Sequence, residues 1–254
     1  MNYTFNIPSK WGELSPKQTK KALKILFSKQ DVTYQKMQLL CLLLGISMKI
    51  LKKKFNAFQI ADCFQHIKFI TNLELDANPI KTLKAGWLGD TFYSPGNDFE
   101  KLTLAEFTQA DTYAAQFIET HDKEHLDNLC AVLYRPKGAL TENRDIRIPF
   151  NEYDIEKRAY QLSKAPYNRK LVAFWWYSWH KQNLTKALTE VFKKPKKGEG
   201  KKGNGSWINF ILGVAGSKFG DLKRTEETQA LTVLYDANEQ MKMQKELEAK
   251  RNKK

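Results

Sequence analysis

Residues 102–117 read LTLAEFTQADTYAAQF, and this stretch decides the fold class. Thr103 and Glu106 stand three apart, the spacing of a capping box, in which each side chain satisfies a backbone amide at the start of a helix. Behind them Phe107, Ala110, Ala114, Phe117 and Ile118 recur at the three- and four-residue steps of one helix face. Leu126, Leu129, Cys130 and Leu133 carry the pattern on to Arg135-Pro136.

The same period extends outward in both directions. Toward the N-terminus, Ser15-Pro16-Lys17-Gln18 offers a capping Ser, a Pro at the first helical position and a capping-box Gln. That helix runs through Ala22, Leu23, Leu26 and Phe27. A second begins near Thr33 with Met37, Leu40, Cys41 and Leu44; it is apolar on most sides, which predicts a central helix ended by Gly45. Lys52-Lys53-Lys54 followed by Phe55, Phe58, Ile60 and Phe64 predicts one more short helix. Toward the C-terminus, helices resume at Asn151 and again after Pro166, through Leu171, Val172, Phe174, Trp175 and Trp179. A further helical stretch is expected from Leu184 to Phe192, and a final helix from Thr225, where Glu226 and Glu227 favour the positive end of the dipole.

Strand signals are few. Tyr3 to Ile7 alternates before Pro8, as a short edge strand does. Ile70 to Leu75 alternates ahead of Pro79, Gly86, Gly89, Pro95 and Gly96, which break any helix and predict a small strand-and-loop element. Asp145-Ile146-Arg147-Ile148 is a second edge-strand candidate inside the polar segment Lys137–Pro149. The expected architecture is mainly α with a small β element. Its parts are an N-terminal helical lobe over 1–136, a helical continuation over 150–192, a basic linker over 193–206 and a C-terminal helical hairpin with a charged tail over 207–254.

The chain has 254 residues, 42% hydrophobic and 12% aromatic, which fits a packed globule and argues against global disorder. Its formal net charge is +14. Lys193–Gly203 carries six Lys against Glu199, and Lys242–Lys254 carries five Lys and Arg251 against Glu246 and Glu248. These two stretches are read as the seat of the excess, with the remainder mildly basic. Cys41, Cys63 and Cys130 are far apart and odd in number, so free thiols in a reducing compartment are expected rather than a disulfide framework. With no charged-then-apolar start and no apolar run of membrane-spanning length, a cytoplasmic, non-membrane protein is expected.

Three patterns carry potential chemistry. Gly198-Glu199-Gly200-Lys201-Lys202-Gly203 spells a dinucleotide fingerprint, but it follows a helix end among lysines instead of joining a strand to a helix, so it reads as linker. His121-Asp122-Lys123-Glu124-His125 matches one zinc-peptidase pattern. It lies at a helix boundary, and its third ligand would have to come from candidates such as Glu152, Glu156 or Glu190, so it reads as a solvated helix start. Phe174-Trp175-Trp176-Tyr177-Ser178-Trp179-His180-Lys181 is the most distinctive composition in the chain. Consecutive aromatics on one helix point in several directions, which favours core, with two or three rings reaching a partner. No Ser/His/Asp arrangement, cofactor motif or metal site is expected, and the chain reads as non-enzymatic.

Four stretches, IPSKWGELSPKQ (7–18), LTLAEFTQADTYAAQF (102–117), LCAVLYRP (129–136) and ILGVAGSKFGDLKRTEETQALTVL (211–234), together resemble uncharacterised proteins encoded in the tail-gene region of tailed phages and prophages of Bacteroidetes, with an end like that of tail-assembly chaperones. The resemblance implies a helical protein that binds phage structural or tail proteins and brings no catalytic residue. It implies that Trp11, Leu14, Phe107 and Phe219 determine the fold, and that Gly216 and Gly220 adopt conformations closed to other residues. The expected contacts are Trp175, Trp176 and Trp179, with Lys193, Lys194, Lys196, Lys197, Lys201 and Lys202 steering the encounter. The alternative is nonspecific nucleic-acid binding by the same lysines and the basic tail.

Overall fold

A computed structural model describes residues 7–140, 144–192, 207–216 and 218–251. The chain is mainly helical with one two-stranded antiparallel sheet. A single-turn 3-10 helix, Trp11–Glu13, precedes α1 (Pro16–Leu26), α2 (Val32–Leu44), α3 (Met48–Lys54) and α4 (Ala57–Cys63). A 3-10 turn at Phe64–Ile67 leads into α5 (Lys68–Thr71), and then come β1 (Thr82–Lys84) and β2 (Thr91–Tyr93). The long middle is α6 (Leu104–Thr120), α7 (Lys123–Leu133), α8 (Ile155–Leu162) and α9 (Tyr167–Ala187). The end is α10 (Trp207–Val214), α11 (Leu222–Glu227) and α12 (Ala230–Arg251).

Both capping boxes form. Ser15 Oγ accepts from the Gln18 amide and Thr103 Oγ1 from the Glu106 amide, while the Gln and Glu side chains accept from the capping residues' own amides. Gly45 ends α2 in the left-handed region at φ 68°. The apolar face of α6 packs along α7, and α7 packs against α8 and α9. One hydrophobic cluster then runs from Trp11 to Leu234, with Phe107, Leu126, Leu129, Cys130, Tyr134 and Trp176 all fully buried within it. Trp11 and Leu14 belong to that core, Trp11 donating its indole N–H to the Phe69 carbonyl at 3.0 Å. Gly216 and Gly220 are both left-handed, and the Gly216 amide donates to the Gly220 carbonyl.

The structure departs from the sequence expectations in five places. The one short helix expected from Lys52 to Phe64 is two, because Phe55 is extended and Asn56 starts α4 with a capping box, its Oδ1 accepting from the Gln59 amide and its own amide donating to Gln59 Oε1. The small strand-and-loop element expected between Phe69 and Asn97 forms, but its strands are not Ile70–Leu75, where α5 ends and Phe69, Ile70 and Leu75 turn into the core. They lie either side of the Gly86–Gly89 turn, with Leu83 opposite Phe92. Gly89 admits no side chain, because a Cβ there would stand 1.8 Å from the Ala85 carbonyl oxygen. Asp145–Ile148 forms only a single bridge, Lys137 to Arg147, because Arg147 turns inward. After Pro166 one continuous helix runs to Ala187, and the buried Leu188 closes it where further helix was expected. Finally, Thr225 lies inside α11. The chain breaks at Thr228 because the Leu104 amide donates to the Thr228 carbonyl and the Ala230 amide to the Leu102 carbonyl, pinning the break to the start of α6. The Tyr3–Ile7 strand falls, except for Ile7, outside the described residues. No helix among the described residues is long and apolar enough to cross a membrane.

Candidate nucleic-acid interface

The charge on this chain is segregated. Residues 7–68 contain twelve Lys and no Arg, against only Glu13, Asp31 and Asp62, a net of +9. Residues 69–192 carry fifteen Lys and Arg against seventeen Asp and Glu, a net of −2. The remainder is mildly basic in total but unevenly so: the folded N-terminal helices hold as large an excess as linker and tail together, and the rest of the chain offsets part of it.

Four of these lysines, Lys17, Lys20, Lys21 and Lys24, follow one another on α1 at steps of three, one and three, which aligns them on one helix face. All four are exposed, as are Lys49, Lys52, Lys53 and Lys54 on α3. None of the twelve takes part in an ion pair among the described residues; Lys36 instead lies over the Phe64 ring, 5.8 Å from its centroid. Lys17 with Lys21 and Lys20 with Lys24 are like-charge pairs one turn apart, each costing the isolated helix roughly 0.2–0.5 kcal/mol. A polyanion relieves that cost. On α4, close in sequence, Phe58 is 88% exposed.

A groove of about 620 Å³ connects these elements. Lys21, Lys24 and Ile25 of α1 form one wall, Tyr34, Gln38 and Cys41 of α2 line it further, and Gly45, Ile46 and Met48 close it at the α2–α3 turn. The α1 stripe and the entry to α3 thus share one side of the molecule.

The residues singled out by sequence sit elsewhere. Trp176 is fully buried and donates its indole N–H to the Asn97 carbonyl at 2.8 Å, so it is core and not contact surface. Trp175 stacks on Phe27 at 5.4 Å between ring centroids, and Trp179 is half-buried beside His180. The surface tryptophan is Trp87, 91% exposed with Leu88 at the tip of the β1–β2 turn. Lys193, Lys194, Lys196, Lys197, Lys201 and Lys202 lie outside the described residues. His121 closes α6 in a left-handed conformation, while Glu124 and His125 occupy the first turn of α7. Among the described residues no group of three or more His, Cys, Asp or Glu is placed to hold a metal ion.

A second charged locus is internal. Glu106 Oε1 meets Arg135 Nη2 at 3.0 Å and Arg147 Nη2 at 3.1 Å, and Asp145 Oδ2 meets Arg147 Nη2 at 2.6 Å. Two carboxylates and two guanidiniums balance, so this is a neutral clamp tying residues 144–148 to the start of α6. Burial lowers the Arg135 pKa to about 10 against the opposing pull of Glu106, and the guanidinium stays charged at neutral pH. Burial raises the Asp145 carboxyl, but hydrogen bonds from Arg147 outweigh it and hold the group below its ordinary value.

Sequence reasoning missed the N-terminal face because it weighed charge by dense runs. The available signal was the lysine stripe on α1 together with the near absence of acids over 7–68. Comparison with protein-family models, with curated proteins and with solved structures returns no match.

Proposed function

We propose that this protein binds nucleic acid, holding phosphates with the lysines of residues 7–68. The observation that carries the reading is the set of twelve lysines against three acids, without ion pairs among the described residues, on a folded helical surface. Phosphate neutralisation releases condensed counterions, so affinity falls with salt in proportion to the contacts made.

The test is a titration of labelled duplex and single-stranded DNA across a salt series, with the wild type and with Lys17, Lys20, Lys21 and Lys24 changed to Gln. The expected wild-type result is a steep linear fall of log K with log salt. The variant flattens that slope by about 0.9 for each lysine that held a duplex phosphate. No binding at low salt overturns the reading. An unchanged slope removes α1 from the interface.

A second reading, the binding of phage structural or tail proteins that the sequence resemblance implies, finds its support in the hairpin tip. Trp87 and Leu88 stand 91% and 92% exposed, and an exposed Trp is a frequent centre of interface energy. A Trp87→Ser protein that keeps full affinity for a phage tail protein bound by the wild type would end that reading.

A further inference from the structure

We infer that α2, its three-residue turn and α3 form a helix-turn-helix that seats α3 in the major groove of double-stranded DNA; this rests on the nucleic-acid reading above and names its partner. A three- or four-residue turn containing glycine is the connection that such a unit uses between its two helices. Here α2 ends at Leu44, and Gly45 follows at φ 68° with its amide donating to the Cys41 carbonyl. Ile46 and Ser47 complete the turn, and Ser47 Oγ accepts from the Ile50 amide to cap α3.

The inner side of the unit is fixed by Leu40, Leu44 and Leu51, all buried, with Ile46 half-buried between them. The outer side is free. Of the seven residues of α3 only Leu51 is buried, while Lys49, Lys52, Lys53 and Lys54 are exposed and Ile50 is 46% exposed. Such a helix contributes little to the core for its length, which is roughly 10 Å at 1.5 Å per residue. Its diameter, about 10–12 Å with side chains, is what a major groove about 12 Å wide has to admit.

The chemistry of that face suits base edges. Lysine ammonium groups donate to guanine O6 and N7, and an aliphatic side chain such as Ile50 packs on a thymine methyl. Alongside, the groove shared by Lys21, Lys24, Gly45, Ile46 and Met48 brings the α1 stripe to the flank of α3. Phosphate contacts there set position while α3 reads sequence. The A-form RNA major groove is too deep and narrow for side chains to read, so the fit is to DNA.

The test uses full-length protein and three labelled probes of one sequence: a DNA duplex, the DNA single strand and the RNA duplex. Selection from DNA duplexes with a randomised centre follows. The comparison variants are Lys49→Ala with Ile50→Ala and Lys53→Ala, all at exposed positions, checked for an unchanged melting curve, and the four-lysine α1 variant described above. The expected result is DNA duplex binding about tenfold or more tighter than RNA duplex, with a sequence motif enriched by selection. The α3 variant loses preference for the selected motif, while the α1 variant weakens selected and unselected DNA alike. Equal binding to all three probes, no enriched motif, or a motif that survives the α3 changes overturns this inference and leaves the nucleic-acid reading standing. Binding to no nucleic acid, or only to vesicles of phosphatidylcholine and phosphatidylserine, overturns both.

Discussion

Arg147 is wholly buried and answers two carboxylates, Glu106 and Asp145, while Nη1 donates to the Leu133 carbonyl at 2.7 Å. Replacing it with an apolar residue of similar length removes the positive charge and leaves both acids under-compensated. Breaking a buried pair in this way costs about 3–5 kcal/mol, against a total stability of roughly 5–15 kcal/mol for a typical native protein. Arg147→Met is therefore expected to lower the urea midpoint strongly at pH 7 with little change in m, measured by circular dichroism. Nothing local in the sequence marks Arg147 as buried. Residues 137–149 read as a polar connection because Glu106 is forty-one positions away and the acid beside it, Asp145, also belongs in polar loops. Trp176 shows the converse: its aromatic neighbours make burial readable, but its indole partner, the Asn97 carbonyl, is found only in three dimensions.

Most elements whose determinants lie within about four residues were legible, the Asn56–Gln59 capping box that separates α4 from α3 being the exception. The capping boxes at Ser15 and Thr103 and the glycine end of α2 form where the sequence places them, because every atom involved is local. The breaks at Leu188 and Thr228 were not legible, since long-range contacts impose them: Thr228 is held by the Leu104 amide on another helix. The α2–α3 turn lends itself to a direct test. A Cβ added at Gly45 meets no atom within 4 Å, so any cost of Gly45→Ala comes from φ 68° alone. About 1 kcal/mol is expected from forcing a side chain into the left-handed region, read as a lower chemical-denaturation midpoint. A neutral effect would show that the turn relaxes to another conformation. The β-hairpin lies within the stretch from Phe69 to Asn97 read as strand and loop, but its strands were misplaced there, because Ile70 to Leu75 alternates for too few residues to distinguish a strand from a buried turn.

At the scale of the whole molecule the decisive property is where charge collects. The +9 on residues 7–68 stands against the −2 of residues 69–192, and the linker 193–203 adds +5. If the folded face holds the polyanion, changing Lys193, Lys194, Lys196, Lys197, Lys201 and Lys202 to Gln leaves most of the salt slope and all of the preference for duplex DNA. If the linker holds it, both collapse; anisotropy titrations of the two proteins side by side distinguish the cases. By itself the sequence determined the fold class, the principal helices and several of their ends, because hydrophobic period and capping act over one or two turns. It also contained the charge segregation, which segment-by-segment counting reveals. Only the tertiary structure decided which aromatics are core, how Arg147 and Glu106 meet, and that the α1 lysines flank the entry to α3. Those outcomes depend on packing between residues distant in the chain, and no local pattern encodes which face a helix turns to its neighbours.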